Sequence, residues 1–322
     1  MTDSRNRGDK KDGRRRRSVD DGRRRGSRNE GSGKSSMDDG RRRVLKNPGG
    51  SDELVRLNKY IANSGVCSRR DADMLISEGE ISVDGQRVTD LGTKVARGAK
   101  VRYRGKLLNP EKKVYILLNK PAGYVSTTED PHAVKIVTDL VKNACDERVY
   151  PVGRLDKETT GLLLFTNDGD LAKKLTHPSH GRKKIYHVHL NRPLTKNDMI
   201  SLTEGVDISE VNYAGKGMNA GEKLNDGKKP DAAKKPYAGE GVSAGEIVAA
   251  DAVAYPDPED KTQLGLEIHS GQNRVVRRMF ESLGYRIKKL DRVYFAGLTK
   301  KKLPRGKWRF LTDKEINILK RS

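Results

Sequence analysis

Apolar and polar residues are distributed unevenly along the chain, and their spacing divides it into three parts. Residues 1–52 contain almost no apolar side chain and are rich in Arg, Gly, Ser and Asp. Such a segment cannot offset its ordering entropy by burial, so we predict that it is a disordered basic tail. Helical and strand spacings alternate over residues 53–108, which predicts a small folded module, and they resume over residues 109–322. Within this last part, a Gly-, Lys-, Ala- and Pro-rich stretch at about 212–246 predicts a flexible insertion.

The small module is predicted to contain two helices followed by short strands. Its first helix presents three apolar residues on one face: Leu57, Tyr60 and Ile61. Ser68 followed by Asp71 is the signature of a capping box and predicts the start of a second helix. Alternation over residues 81–88 around an Asp-Gly pair predicts a hairpin, and Val95 and Val101 predict a closing strand pair.

The larger part alternates strand and helix patterns, which predicts an α+β fold. The predicted strands cover the ranges 114–118, 150–154, 162–166, 185–190, 247–255 and 264–269, with short strands between 294 and 311. One helix is predicted near 169–176 with Asn167 as its N-cap, and another over 274–283 with Gly284 following its end.

Composition and charge narrow the class of protein. The 322 residues carry a net charge of +22, and both the tail and the remaining chain are basic, so the protein attracts polyanions. No apolar stretch approaches the roughly 20 residues of a membrane helix, and the polar, Arg-rich start does not resemble a secretory signal. Two cysteines, Cys67 and Cys145, make neither a disulfide scaffold nor a CxxC metal site. We therefore expect a soluble cytoplasmic protein. We also expect no bound metal, because the histidine pairs lack ligand partners at suitable spacing.

Candidate chemistry lies in residues 153–161. A strand ends at a glycine, the carboxylate of Asp156 follows on a loop, and a second glycine leads into a very apolar strand. A carboxylate between two buried strands lies in a cleft. A loop aspartate is, however, more often a turn residue that bonds its own backbone, and this single feature does not decide between the two interpretations.

The whole segment, Gly-Arg-Leu-Asp-x-x-Thr-x-Gly-Leu-Leu, resembles the active-site motif of the pseudouridine synthases, specifically the RsuA/RluB branch. Three further segments fit the same family in order: Asn119–Gly123, Lys184–Val188 and Gly271–Met279. The preceding module, with its Ser-Arg-Arg sequence and its hairpin, resembles the small RNA-binding domain shared by ribosomal protein S4 and tyrosyl-tRNA synthetase. The resemblance implies a small S4-like domain followed by a catalytic domain with a mixed, mainly antiparallel sheet flanked by helices.

The resemblance also implies roles for particular residues. Asp156 would be the essential carboxylate, paired with Arg277, and Tyr186 would stack on the uracil base. Arg154 would fill the stack that a flipped nucleotide vacates. A different interpretation is that Arg277 belongs to a solvated helix face that contacts phosphate. Asp156 could attack C1′, add to C6 or deprotonate the ribose, and these three routes stay open.

Further residues are expected to bind RNA. In the small module they lie near the helix starts, where cations and free amides suit phosphate oxygens: Lys59, Ser68, Arg69 and Arg70. In the larger part they lie in the last motif: Asn273, Arg274 and Arg278. Lys120 is expected to shape the cleft wall. Val275 stands where relatives often carry Gln.

The expected activity is the isomerisation of a specific uridine in ribosomal RNA to pseudouridine. Because the likeness is closer to RluB, the large-subunit 23S rRNA is the expected substrate. A C–C glycosidic bond replaces a C–N one without redox change, so no cofactor is expected, and the protein is expected to be a monomer. Two alternatives are a non-catalytic RNA-binding or ribosome-assembly factor, and a glycosidase that uses Asp156 and Glu158. The glycosidase is weaker, because residues two apart on a loop rarely hold carboxyls on both sides of a sugar.

Overall fold

The computed structural model describes residues 54–96, 98–128, 135–209 and 246–321. The tail predicted over residues 1–52 and nearly all of the insertion predicted at about 212–246 lie outside these residues. The described residues all belong to one compact unit.

The described residues form six α-helices and seventeen β-strands. The helices are α1 Leu57–Asn63, α2 Arg69–Ser77, α3 Gly169–Thr176, α4 Lys196–Glu204, α5 Val275–Ser282 and α6 Asp313–Arg321, with 3-10 turns at Val137–Leu140 and Pro178–His180. The strands are β1 Val55–Arg56, β2 Ile81–Val83, β3 Gln86–Arg87, β4 Lys94–Val95, β5 Val101–Tyr103, β6 Lys106–Leu107, β7 Tyr115–Lys120, β8 Tyr150–Pro151, β9 Thr160–Thr166, β10 Lys184–Leu190, β11 Val206–Asp207, β12 Ile247–Val248, β13 Ala252–Ala254, β14 Gln263–Ile268, β15 Ile287–Phe295, β16 Leu298–Thr299 and β17 Trp308–Phe310.

The N-terminal elements form a small α+β module. Helices α1 and α2 pack on a four-stranded antiparallel sheet in the order β3-β2-β5-β6, around a core that includes the fully buried Leu57 and Ile61. The predicted capping box is confirmed, because the Ser68 hydroxyl accepts from the Asp71 amide and the Asp71 carboxylate accepts from the Ser68 amide. The predicted pairing of Val95 with Val101 is wrong. Val95 pairs with β1 and Val101 with β2, since β1 provides an edge that local spacing does not reveal.

The larger part is built on a nine-stranded sheet in the order β13-β14-β10-β15-β9-β7-β17, with β16 and β8 attached at the side. Its pairings are antiparallel except that of β15 with β9, which confirms the mixed, mainly antiparallel sheet. Alternate residues of β7 and β9 enter two different cores. One core includes residues of α4 and α5, and the other includes residues of α3 and α6. Both faces of β7 and β9 are therefore buried, which explains their continuous apolar sequence.

Several local predictions differ from the structure. Asp168, not Asn167, caps α3, because the Asn167 side chain accepts from the Val114 amide instead. The strand predicted over 150–154 is confined to β8, and the strand predicted over 114–118 extends through Lys120. Helices α4 and α6 and residues 287–293 of β15 were not predicted, since charged residues interrupt their apolar spacing.

Candidate active site

Asp156 lies on a loop, residues 153–159, that the neighbouring chain holds in place; we call it the Asp156 loop. Gly153 begins it with a φ of 75°, a left-handed conformation that favours glycine. Leu155 is buried, and its amide and carbonyl both bond the Ser126 hydroxyl, at 3.2 and 2.8 Å. Leu155 and Thr159 are thus anchored in the interior, and the carboxylate between them is 35% exposed.

Lys120 fixes the same loop from within the protein. Its side chain is fully buried at the end of β7, and its ammonium group donates to backbone carbonyls of the loop, at 2.8 Å to Thr159, 2.9 Å to Lys157 and 3.1 Å to Asp156. Burial lowers the pKa of Lys120 to about 8. Lys120 does not line the cavity beside Asp156; it organises the backbone that carries the carboxylate.

Helix α5 brings Arg277 to this loop. Its apolar residues Val276, Met279 and Phe280 are buried against the sheet, and Arg277 is left 15% exposed at the rim of the core. Arg277 Nε lies 3.4 Å from Asp156 Oδ2. No described group accepts a hydrogen bond from this buried Nε, so the contact with Asp156 is an ion pair without hydrogen-bond geometry. The guanidinium balances the charge of the carboxylate.

A cavity of about 320 Å³ opens beside this pair. Tyr186, on β10, is 9% exposed and lines it, because the alternation of the strand points Tyr186 inward with Val188. Arg154, Asn273 and Arg274 are exposed and also line the cavity. Arg274 adopts a φ of 51° at the N-cap of α5, which directs the 270–274 segment along the rim. Among the described residues, the cavity therefore joins the carboxylate of Asp156, the aromatic residues Tyr186 and Phe295, and several cations.

Two cations of the cavity wall were not assigned from the sequence. Lys184 donates to the carbonyls of Arg182 and His269, and burial, helped by the charge of Arg292, lowers the pKa of Lys184 to about 8. Arg292 is 3% exposed and donates from Nε and Nη2 to the Leu162 carbonyl. Lys184 occurs in a motif segment, so its position was visible in the sequence. Arg292 has no local sequence signal, because the pattern of apolar residues around it predicts no strand that would direct its side chain to the cavity.

The other expected RNA contacts lie elsewhere. Arg278 is directed away from the cavity and pairs with Glu246, and it donates to the Ile208 carbonyl. In the small module Arg69 and Arg70 are exposed, whereas the Ser68 hydroxyl is engaged in the capping box. The remaining contact, Lys59, forms an ion pair with Asp170 on α3, at 2.6 Å.

Within the four described ranges, no group of three or more His, Cys, Asp or Glu side chains could hold a metal ion. None of the helices in the described part of the chain is long and apolar enough to span a membrane.

The fold and the site define an RNA-modifying class. Residues 114–282 match the family described as RNA pseudouridylate synthase, and residues 55–101 match the S4 domain. The chain belongs to the RNA pseudouridylate synthase family, and it is an RNA pseudouridine synthase that carries an S4 domain.

The individual relatives agree with this assignment. The chain is 36% identical to ribosomal large subunit pseudouridine synthase B of Bacillus subtilis (strain 168) over 265 residues, 82% of this chain and 95% of that protein. It is also 36% identical to the dual-specificity RNA pseudouridine synthase RluF of Escherichia coli (strain K12), over 82% of this chain and 78% of that protein. A crystal structure of a pseudouridylate synthase is similar with a TM-score of 0.50 and 26% identity, covering 82% of this chain and 99% of that one.

Proposed function

We propose that this enzyme converts a specific uridine of large-subunit ribosomal RNA to pseudouridine, with Asp156 as the essential carboxylate. The observation that carries the proposal is the ion pair of Asp156 with Arg277 at the wall of the cavity that Tyr186 also lines. The relative from Bacillus subtilis is named for the large ribosomal subunit, which supports that choice of substrate. The relative named for dual specificity makes a second class of RNA the alternative outcome.

The chemistry needs a carboxylate beside C1′ and C6 of a nucleotide that has left its stack. During the reaction the N1–C1′ bond breaks, the uracil turns and C5 bonds to C1′. The C5 proton leaves and N1 takes up a proton, so that the product is an isomer of uridine. Asp156 serves the first step by attack at C1′, by addition at C6 or by deprotonation of the ribose. The Tyr186 ring holds the detached base by stacking. The anchored loop and the cavity wall keep the base and the ribose close enough to recombine.

The rim of the cavity would bind the RNA around the flipped nucleotide. Arg154 occupies the vacated stack, and Asn273 and Arg274 contact the backbone. Arg69 and Arg70 bind phosphates at the S4 domain. In this proposal the S4 domain covers residues 53–108 and the catalytic domain covers residues 109–322. Arg278 is left out of this set because its charge is already paired with Glu246. The proposal includes neither cofactor nor metal, and it describes a monomer acting in the cytoplasm, where ribosomal RNA is found.

The decisive test is Asp156→Asn, with Glu158→Gln as the matched control. Glu158 is an exposed carboxylate on the same loop. We expect Asp156→Asn to lose at least about 1,000-fold in pseudouridine formation, measured by carbodiimide detection, while RNA affinity stays within about threefold. Glu158→Gln should retain wild-type activity. Full modification by Asp156→Asn would contradict the proposed role of Asp156. Loss of activity in Glu158→Gln would favour the alternative in which Asp156 and Glu158 act together.

The substrate is tested separately by mapping pseudouridine across ribosomal and transfer RNA from cells with and without the gene. We expect one or a few large-subunit positions to lose the modification. Loss confined to the small subunit or to transfer RNA would show that the substrate is a different RNA. It would not contradict the proposed role of Asp156 in the reaction.

A further inference from the structure

Near the C-terminal end of the chain, one loop carries several positive charges that the proposed site does not use. It connects β16 with β17 over residues 300–307, and we call it the basic loop. Its sequence holds five cations and no carboxylate: Lys300, Lys301, Lys302, Arg305 and Lys307. Lys301, Lys302 and Lys307 are exposed, and none of the three contacts a carboxylate among the described residues. These side chains are therefore free to meet an anion.

A buried leucine and several hydrogen bonds anchor the basic loop. Leu303 is 6% exposed, and its carbonyl accepts from the Asn119 side chain at 2.8 Å. The backbone of Asn119 also bonds Lys307 at 3.0 Å and Gly306 at 2.8 Å. The Leu303 amide donates to the Lys300 carbonyl at 3.0 Å, and Lys302 has a φ of 57°, so the chain turns between Lys300 and the buried leucine. Cations on an ordered backbone lose less conformational freedom on binding than cations on a flexible tail.

Two connections place the basic loop beside the Asp156 loop. Asn119, which bonds the basic loop, directly precedes Lys120, whose ammonium group holds the Asp156 loop. Asp291 forms the second connection, because its buried carboxylate accepts from Thr160 at 3.0 Å and from Arg305 at 3.1 Å, and it also pairs with Lys300. Thr160 is four residues from Asp156, so at most about 14 Å of chain separates the two.

We propose that the basic loop binds phosphates of the RNA strand next to the target uridine, through Lys301, Lys302 and Lys307. The inference rests on the proposed function, because it assumes that RNA enters the cavity at Asp156. A nucleotide that leaves its stack must have its flanking backbone held, and phosphate contacts are what fix the register of a nucleic acid on a protein. The three exposed lysines of the basic loop, on an anchored backbone beside the Asp156 loop, can make such contacts.

The test compares two triple variants with equal loss of charge. The first is Lys301→Gln, Lys302→Gln and Lys307→Gln. The control is Lys196→Gln, Lys261→Gln and Lys289→Gln, which removes three exposed lysines outside the basic loop. RNA affinity of the full-length protein is measured from about 50 to 300 mM salt, and kcat is measured at saturating RNA. Each phosphate contact contributes about 0.7 to 0.9 to the slope of log affinity against log salt.

We expect the basic-loop variant to lose about 2 units of this slope and at least about tenfold in affinity near 150 mM salt, with kcat within about twofold of wild type. The control variant should keep the wild-type slope to within about 0.5 units. An unchanged slope in the basic-loop variant, or an equal loss in both variants, would overturn the inference. Failure of the proposed function is distinguishable, because an inactive wild type would leave the binding slopes measurable.

Discussion

At the scale of single residues, the unusual feature of this enzyme is a pair of lysines, one buried and one half-buried, whose ammonium groups donate to backbone carbonyls. Lys120 holds the Asp156 loop, and Lys184 donates to the carbonyls of Arg182 and His269 at the cavity wall. An ammonium group in such a position satisfies several carbonyls at once, at the cost of leaving water. Burial lowers the pKa of each to about 8, against the ordinary value of 10.5.

This burial has a consequence for stability against pH. Between about pH 8 and 10.5 the unfolded chain keeps the proton of Lys184 that the folded chain has lost. The free energy of unfolding therefore rises with pH in this window, by at most about 1.4 kcal/mol per pH unit for one group. We expect Lys184→Met to flatten this rise in urea unfolding between pH 7.5 and 10, and the exposed-site control Lys196→Met to leave it unchanged. Identical pH dependence in both variants would refute the expectation.

At the scale of elements, the site depends on the junction of β9 with β15. These are the neighbouring strands of the large sheet that run parallel, over Thr160 with Asp291 and Gly161 with Arg292. Gly161 has a φ of 107°, and a Cβ there would lie 2.3 Å from the Arg292 carbonyl oxygen. The close approach lets β15 bring Arg292 to the cavity wall while β9 continues directly from the Asp156 loop.

The junction predicts that Gly161→Ala is severely destabilising. The added methyl group meets backbone on β15 and the backbone angle is unfavourable for alanine, so we expect a loss of about 3 kcal/mol or more in denaturant unfolding, with loss of activity. Gly265→Ala on β14 is the control, because a Cβ there would lie 3.8 Å from the Ala254 carbonyl oxygen on β13, an ordinary van der Waals contact. The control should change stability by less than about 1 kcal/mol. Equal effects of the two substitutions would argue against a close approach at Gly161.

At the scale of the whole molecule, α3 connects the small module with the cavity. Asp170 in its first turn pairs with Lys59 of α1, and Thr176 at its end lines the cavity. A helix of eight residues is about 12 Å long, so the contact with Lys59 and the wall of the cavity are separated by no more than about this length of α3. The pairing occupies a lysine that the sequence assigns to RNA.

The ion pair predicts that Asp170→Asn tightens RNA binding. Removal of the carboxylate frees Lys59 for phosphate, and we expect a twofold to fivefold gain in affinity at low salt that disappears when Lys59→Gln is also present. Because Asp170 is 74% exposed, stability should change by less than about 1 kcal/mol. A gain of the same size in the Lys59→Gln background would show that the effect comes from net charge alone.

The sequence by itself determined the features that depend on neighbours along the chain. The capping box at Ser68, the apolar runs of β7 and β9, and the motif around Asp156 all follow from local spacing and residue type. The α+β class follows from the order of these patterns, and the two-sided burial of the sheet agrees with them.

Only the tertiary structure decided which distant residues meet. It places Arg277 against Asp156, a pairing that the sequence offered only through the family resemblance and not through local spacing, and it directs Arg278 to Glu246. It also adds Lys184 and Arg292 to the cavity wall. These outcomes depend on how α5 and β15 pack across the sheet, and no local pattern encodes the direction in which a charged side chain on a partly buried element points. The direction of a buried or half-buried charged side chain depends on which partner the packing brings near it, and these partners are distant in sequence.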